Sequence, residues 1–263
     1  MSGADPALSR VRDVSVFADP GLRGKMEDRH AVMRYPEIGL FAGIFDGHGG
    51  VGAAEVLAGG LPDRFLHRLG ETGDPAQAFY ASYRDLEERL QGEDSGSVAA
   101  TVFLTGETLI VAHVGDTRVV GATDGGGRAL TEDHRVTNPA ERARIQAAGG
   151  HVEGLYIIRG LRGLMPTRSF GDAWFRAVGV HAIPEVSHHR VSHGIRAVVL
   201  ACDGVWDVVA PGEIGQILDH APPDTPEAEA IGGTALARGT TDNVTVVVAT
   251  LWRDGADEGS AVT

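Results

Sequence analysis

Runs of apolar, mostly β-branched residues recur along the 263-residue chain and predict its strands. Runs of about four to eight such residues, bounded by turn residues, are typical of buried strands. The predicted strands lie at residues 14–17, 31–33, 39–45, 97–104, 109–114, 118–122, 195–201 and 244–251. The three consecutive runs between residues 97 and 122 predict a meander of neighbouring strands.

Helical spacing of apolar residues predicts helices at residues 51–69, 75–91, 211–220 and 226–238. Another helix is expected to begin at Asn138, an N-cap residue followed by proline, and to end at Gly149. In the first helix, the Gly-Gly-Leu-Pro sequence at residues 59–62 predicts a break. Residues 1–13 are expected to be a loose leader and residues 253–263 a disordered tail.

The predicted strands cluster in groups that flank pairs of helices, instead of alternating strictly with single helices. This order favours an α+β fold, in which antiparallel sheets and helices form separate layers, over a doubly wound parallel sheet. Residues 14–252 are expected to form one domain, because the candidate site residues come from both halves of the chain.

Four aspartates stand beside apolar runs that are far apart in the sequence: Asp46, Asp116, Asp203 and Asp242. Carboxylates at strand ends in a packed core lose hydration and repel one another, and cations allow them to persist together. Oxygen ligands of this kind suit Mg²⁺ or Mn²⁺ better than zinc. The pattern therefore predicts a site for hard divalent cations that is assembled from the whole chain.

The net charge of −13 argues against nucleic acid or an anionic membrane as a partner. General solubilising charge is the alternative explanation for most of the acidic excess. Cys202 is the only cysteine, so no intrachain disulfide is available, and its apolar context predicts a buried hydrophobe rather than a nucleophile. The sequence contains no apolar run of roughly 20 residues and no signal peptide, so we expect a soluble cytoplasmic protein.

The sharpest motif is Asp-Gly-His-Gly-Gly at residues 46–50, directly after a predicted strand. Its glycines allow a close backbone approach, Gly47 offers a carbonyl oxygen, and His48 is placed to move a proton. The alternative is a tight turn in which His48 is only a polar cap. The mixed-charge run at residues 23–29 adds Arg23, which suits phosphate oxygens, and the carboxylate of Glu27. Taken alone, such a run is usually a solvated loop.

Several other polar residues leave two interpretations open. Asp203 and Asp207 form a carboxylate pair four residues apart, although Asp207 alone is also consistent with a cap or a salt bridge. Asp116 follows a glycine, and such a pair also fits an ordinary hairpin turn. Four other histidines are interpreted as surface or loop residues rather than ligands or catalysts: His134, His188, His189 and His193.

Taken in order, these motifs resemble those of the metal-dependent protein serine/threonine phosphatases, the type 2C family. The resemblance runs from about residue 14 to residue 251. It is carried by the segments at residues 23–28, 46–50, 95–97, 114–118, 130–134, 141–150, 168–172, 201–207 and 241–245. One such segment would mean little, but their ordered agreement along nearly the whole chain is highly specific.

The resemblance implies a central sandwich of two antiparallel β-sheets, flanked by α-helices in four layers, with two metal ions at one end. It implies that Asp46 bridges both ions and that Gly47 binds one of them through its carbonyl oxygen. Asp203 and Asp242 would bind the other ion, and Glu27 would reach an ion directly or through water.

The resemblance also assigns roles to residues outside this metal pair. Arg23 would grip the phosphate, and His48 would protonate the leaving alkoxide. Residues 149–168 would contain a flap beside the site. A weaker third-metal site is matched by Asp116, Asp203 and Asp207.

The expected activity is hydrolysis of phosphoserine and phosphothreonine in proteins, by a water that two Mn²⁺ or Mg²⁺ ions about 3.5–4 Å apart would activate. Phosphorylated proteins are the expected partners, and we expect a cytoplasmic monomer that acts in signal transduction. One alternative is a catalytically silent module that binds phosphoproteins through the same fold; its mark would be loss of the metal-binding aspartates, and these are present. The other alternative is a phosphatase of small phosphate esters.

The chain departs from the family pattern at a few positions. Val98 and Thr117 replace a usual threonine and a usual serine, and residues 166–167 are Pro-Thr where a small apolar residue and serine are usual. Since none of these positions is an expected metal ligand, they bear on flap conformation and substrate selection rather than on the chemistry.

Overall fold

Two antiparallel sheets face each other across an apolar core in the computed structural model, which describes residues 7–8, 10–191 and 194–252. One sheet contains, in spatial order, β1 (Val11–Asp19), β14 (Val244–Leu251), β13 (Ala197–Ala201), β6 (Arg118–Thr123) and β7 (Gly126–Ala129). The other contains β12 (Glu185–Arg190), β5 (Thr108–Val114), β4 (Gly96–Thr105), β3 (Gly39–His48) and β2 (Arg29–Tyr35), with the short β11 (Phe170–Gly171) paired to β4.

Helices cover the outer face of each sheet. The longer pair, α1 (Gly52–Thr72) and α2 (Pro75–Arg89), packs on the sheet that contains β3. The helices α5 (Ile214–His220) and α6 (Glu227–Ala237) cover the sheet that contains β14. The expected four-layer α+β sandwich is therefore confirmed.

The alternation of side chains along β3 shows how the strands separate the layers. Successive side chains of a strand point to opposite faces of the sheet. Leu40, Ala42 and Ile44 accordingly lie in the core between the two sheets. Phe41 and Phe45 lie in a second core beneath α1 and α2. Because both faces are covered, the strand is apolar at almost every position, which is why its sequence shows a continuous run.

The remaining elements lie near one end of the sandwich. A three-stranded sheet, β8 (His151–Glu153), β9 (Tyr156–Arg159) and β10 (Arg162–Leu164), forms the flap together with the residues around it. The helix α3 (Pro139–Ala147) begins with Asn138 as its N-cap, as predicted. A 3-10 helix, Ala173–Val178, follows β11, and the short α4 (Asp203–Trp206) follows β13. The flap has a small core of its own: Val136, Ile145, Ile157, Leu164, Phe175 and Val180.

The predicted break in the first helix is wrong, because α1 continues through Pro62. Leu57, Leu61 and Phe65 are fully buried along one side of this helix and face β3 and α2. At residue 60 a Cβ would lie 3.1 Å from Leu86 of α2, so glycine there allows the two helices to approach closely. Tertiary packing of this stripe therefore overrides the low helix propensity of the glycines and the proline.

The predicted meander at residues 97–122 is only partly right. β4 and β5 form a hairpin, but β6 lies in the opposite sheet and pairs with β13. Gly115, with φ at +89°, turns the chain between the sheets. Its N–H donates to His134 Nδ1 (3.1 Å), and its carbonyl accepts from the His134 N–H (2.9 Å). This crossing places the next residue, Asp116, at the end of the sandwich.

Three other expectations concern the chain ends and the histidines. β1 begins at Val11, so the last three residues of the expected leader belong to the sheet, where Val11 pairs with Leu251. Residues 1–6 and 9 of that leader, the tail at residues 253–263, and His193 lie outside the described residues. His188 and His189 lie in β12, at the edge of its sheet.

Within the described part of the chain, no helix has the length and apolar character needed to cross a membrane.

The stacked imidazoles of His113 and His134 should make the fold sensitive to acid. Burial lowers the pKa of His134 to about 2 and also lowers the pKa of His113. In the unfolded chain both histidines take up protons near pH 6.5, but in the folded protein they stay neutral to a lower pH. Their contribution to the stability of the folded state is therefore complete above pH 6.5 and is lost as the pH falls below it.

We therefore expect the unfolding free energy of His134→Gln to depend less on pH than that of the wild type. Between pH 6.5 and pH 5.5, the wild type should lose about 1 kcal/mol more than the variant. Urea unfolding of both proteins in metal-free buffer measures this difference. Parallel pH profiles would show that His134 does not contribute.

Candidate active site

A cavity of about 950 Å³ opens where β3, β5 and β13 end and β6 and β14 begin. Its wall brings together most of the residues singled out in the sequence: Arg23, Glu27, Asp46, Gly47, His48, Asp116, Asp203 and Asp242. Flap residues from Arg162 to Pro166, together with Tyr156, line the opposite side. Asp207 is exposed at the end of α4 and is not among the described residues that line the cavity.

The carboxylates at the base of this cavity destabilise one another when charged. Burial raises the pKa of Asp46 well above its usual range, and the charges of Asp28, Asp203, Asp116 and Asp242 raise it further. Burial, followed by the charges of neighbouring aspartates, also raises the pKa of Asp203 to about 7. Without metal, the site therefore favours protonated carboxyls. Positive charge placed among them would lower their pKa values and favour the ionised carboxylates.

Oxygen atoms dominate the groups that a cation would meet here. The carboxylates of Asp46, Asp203 and Asp242 are joined by the backbone of Gly47, where a Cβ would lie 2.5 Å from the carbonyl oxygen of Glu27. Glycine is therefore required if the end of β3 is to pass this close to the loop that carries Glu27. Hard divalent cations such as Mg²⁺ and Mn²⁺ prefer oxygen ligands, so the donor set fits them.

Asn243 fixes the loop that carries Arg23 and Glu27, a role that sequence reasoning missed. Its side-chain amide donates to the carbonyl oxygens of Pro20 (2.9 Å) and Lys25 (2.8 Å). Its Oδ1 accepts from the Glu27 N–H (2.8 Å). Asn243, the residue before β14, thus holds this loop at the mouth of the cavity. The side chain of Arg23 is 59% exposed there and donates to Asp242.

His48 forms a pair with Asp172, a second residue for which the sequence suggested no role. His48 Nε2 lies 2.8 Å from Asp172 Oδ2, which also accepts from the Ser169 hydroxyl at 2.5 Å. Asp172 has φ at +48°, an uncommon conformation for a residue other than glycine. Gly96 makes room for the pair, since a Cβ there would lie 2.1 Å from His48 Nε2.

The electrostatic effect of this pair favours a protonated imidazole. Burial of His48 disfavours the charged ring, but the hydrogen bond that its imidazolium donates to Asp172 and the negative charge of Asp172 prevail and raise the pKa of His48. A histidine held by a carboxylate is oriented as well as charged, which is what a proton donor needs. The pairing with Asp172 therefore favours a proton donor over the alternative in which His48 only caps a turn.

Arg135 lies behind the cavity and bridges two of its carboxylates. Its Nε donates to Asp116 Oδ2 (2.6 Å), and its Nη2 donates to Asp203 Oδ2 (3.2 Å). The family resemblance implies a third metal site at Asp116, Asp203 and Asp207. It had not indicated that an arginine would contact Asp116 and Asp203.

A different group in the described residues, His113, His134 and Glu185, also brings three potential ligand atoms within 4.8 Å of one another. The two imidazole rings are stacked, with centroids 4.4 Å apart and planes 10° apart. Nitrogen lone pairs lie in the ring plane, so two stacked rings do not converge on one ion. In addition, His134 Nδ1 accepts from the Gly115 N–H, which leaves the proton of the neutral ring on Nε2. This group does not fit a metal, and the carboxylate cavity does.

Comparison with known proteins agrees with this geometry. A sequence model of the family described as Protein phosphatase 2C matches residues 12–244. The chain belongs to the protein phosphatase 2C family. It is therefore a metal-dependent protein serine/threonine phosphatase.

Named relatives and a solved structure match over most of their lengths. "Probable protein phosphatase 2C 59" of Arabidopsis thaliana is 34% identical over 91% of this chain and 79% of its own. "Probable protein phosphatase 2C 45" of Oryza sativa subsp. japonica is 33% identical over 88% of this chain and 84% of its own. The crystal structure of a serine-threonine phosphatase 2C from Toxoplasma gondii superposes with a TM-score of 0.81 at 24% identity, covering 92% of this chain and 95% of that one. The last match shows that this phosphatase 2C has the same fold as the Toxoplasma gondii protein.

Replacing Asp172 by asparagine should lower the pKa of His48, because the substitution removes the negative charge that favours the imidazolium. We expect a fall of about one pH unit or more. Titration of the histidine resonances by NMR in the metal-free protein measures it. Asp94→Asn, which removes a carboxylate from the same cavity wall, is the matched control and should leave the pKa of His48 nearly unchanged. Equal effects of the two substitutions would contradict the assignment of Asp172 as the partner of His48.

Proposed function

We propose that this phosphatase uses two Mn²⁺ or Mg²⁺ ions, held by Glu27, Asp46, Gly47, Asp203 and Asp242, to hydrolyse phosphoserine and phosphothreonine in proteins. The observation that carries the proposal is the convergence of carboxylates from separate strands in one cavity, where burial and mutual repulsion raise the pKa values of Asp46 and Asp203. Ions bound there would lower the pKa of a water and stabilise charge on the attacking and leaving oxygens.

The residues of the chain itself would bind and orient the phosphoryl group. Arg23 reaches the cavity mouth with an exposed guanidinium. Its contact with Asp242 uses one Nη atom, and among the described residues no hydrogen bond from its other N–H groups is found, so these would bind phosphate oxygens. By lying beside the cation ligand Asp242, Arg23 would place the phosphate next to the ions and neutralise charge that develops on it.

His48 would donate its proton from the imidazole to the leaving alkoxide oxygen of serine or threonine. Asp172 would hold the ring in place and favour its protonated form before the P–O bond breaks. No side chain need act as a nucleophile. Burial keeps the thiol of Cys202 protonated by raising its pKa well above the usual range, and its Sγ donates to the Asn243 carbonyl (3.2 Å).

The two alternative functions make different demands on this cavity. A silent phosphoprotein-binding module would not need its metal-binding aspartates, yet these line the cavity here. A phosphatase of small esters would use the same chemistry, so a panel of phosphopeptides and phosphorylated metabolites is the experiment that separates it. We further propose that the chain, from β1 to β14, forms one catalytic domain that acts in signalling. We also propose that the protein is a monomer, which gel filtration tests, and that it is cytoplasmic, which cell fractionation tests.

Activity on phosphopeptides should require a divalent metal and no thiol. A chelator should abolish turnover, and added Mn²⁺ should restore it, because the proposed reaction needs ions to activate the attacking water. Cys202→Ser should stay active, since a hydroxyl can replace the thiol as a hydrogen-bond donor to Asn243. Turnover that survives the chelator but is lost on thiol blocking would refute the proposal.

Asp203→Asn and Asp242→Asn should each weaken metal binding and cut turnover severely, because each removes one negative ligand. Both variants should remain folded, since loss of one charge relieves repulsion in the metal-free protein. Titration calorimetry with Mn²⁺ gives the affinities. Asp94→Asn serves as control and should bind Mn²⁺ nearly as the wild type does. Unchanged metal affinity in both site variants would show that these carboxylates are not ligands.

His48→Gln should lose far more activity on phosphopeptides than on p-nitrophenyl phosphate. A serine alkoxide needs a proton as it leaves and nitrophenolate does not, and general acid catalysis is typically worth about 10²–10⁴-fold. Single-turnover rates on both substrates are the measurement, because product release can mask the difference. A similar loss on both substrates, accompanied by weaker metal binding, would favour a structural role for His48.

A further inference from the structure

The contact of Arg135 with Asp116 and Asp203 is the feature that the proposed chemistry does not use. Asp116 is 4% exposed, and the guanidinium meets it through Nε at 2.6 Å. The same guanidinium reaches Asp203 through Nη2 at 3.2 Å. One positive charge therefore lies between two of the three carboxylates that the family resemblance implies as ligands of a third metal, the other being Asp207.

The surroundings of Asp116 explain why a cation is needed at this point. Burial raises the pKa of Asp116, and the charge and hydrogen bond of Arg135 counteract that rise. A buried carboxylate without a partner is strongly unfavourable, so some positive group must accompany Asp116 when it is ionised. In this structure the group is a side chain of the protein.

We propose that Arg135 is a built-in cation that competes with a third divalent ion for Asp116 and Asp203. The proposal rests on the proposed function, since it assumes that two other ions occupy the main site. Arg135 contacts one oxygen of each carboxylate, so a divalent ion held by both carboxylates would lie close to the guanidinium. The like charges of the ion and the guanidinium make joint occupancy unfavourable.

The surroundings of Arg135 offer it a second position. Asp133 Oδ2 lies 4.0 Å from Arg135 Nε, and Asp133 is already anchored by Arg118 at 2.7 Å. The backbone of Arg135 is fixed by its pairing with Pro166 at the base of the flap. The exchange therefore needs only a rotation of the Arg135 side chain toward Asp133, and the third ion would bind more weakly than the other two.

The test is to count Mn²⁺ ions bound at equilibrium, by dialysis and by electron paramagnetic resonance of free Mn²⁺, without substrate. In Arg135→Gln the third ion should bind at least about tenfold more tightly than in the wild type, because its competitor is gone. The two tight ions should bind as in the wild type. Arg142→Gln removes the same charge from an exposed position on α3. It should change neither the affinity for the third ion nor the binding of the two tight ions.

Two further variants make the result decisive. Adding Asp116→Asn to Arg135→Gln should abolish the gain, since the gain depends on that carboxylate. Arg135→Lys keeps the charge without the fork, so its affinity for the third ion should be intermediate, and this variant replaces the glutamine variant if that one does not fold.

An unchanged affinity for the third ion in both Arg135 variants overturns the proposal. Weaker binding of the two tight ions also overturns it, since that result would make Arg135 an orienting partner of Asp203. A wild type that binds no Mn²⁺ would instead refute the proposed two-ion function.

Discussion

Repulsion among buried carboxylates at one end of the β-sandwich is the interaction on which the rest of this structure depends. The two sheets supply a rigid, apolar frame that removes water from Asp46, Asp116 and Asp203, and burial is the leading cause of the raised pKa of each. A frame of this kind holds the acids close together whether or not they are neutralised. Cation binding then follows from the fold, because positive charge is what makes the ionised cluster favourable.

The same constraint accounts for the polar groups around the cluster. Asn243 holds the loop with Glu27 and Arg23 against the start of β14 through three hydrogen bonds. Asp172 holds His48 on the other side of the cavity. Arg135 supplies a positive charge behind Asp116. Each of these residues sets the position or the charge of a group in the cavity.

The sequence alone allowed the core of the site to be predicted because Asp46, Asp203 and Asp242 each adjoin a continuous apolar run. Strands buried on both faces give that pattern, and their ends share one edge of the sandwich. The break expected near Pro62 failed because packing against β3 and α2 outweighs local propensity. The crossing at Gly115 was missed because a hairpin turn and a short link between two sheets look alike in sequence.

The partners of the site residues were beyond the reach of sequence patterns for a different reason. Asp172 contacts a residue 124 positions away, and Asn243 contacts a residue 216 positions away. Such pairs depend on how two strands and a loop meet in space, and neither residue has a periodic signature. Arg135 was equally hidden, since a basic residue in a charged loop usually indicates only a solvated surface.

The most direct test of this account is the unfolding free energy of the protein between pH 8 and pH 6.5, measured by chemical denaturation with and without Mn²⁺. Carboxyls whose pKa is raised by folding stabilise the folded state as they take up protons, so the metal-free protein should become more stable as the pH falls through about 7, where Asp203 titrates. Saturating Mn²⁺ should stabilise it further at pH 8 and remove that dependence on pH. A metal-free protein whose stability is flat over this range, and which Mn²⁺ does not stabilise, would contradict the account.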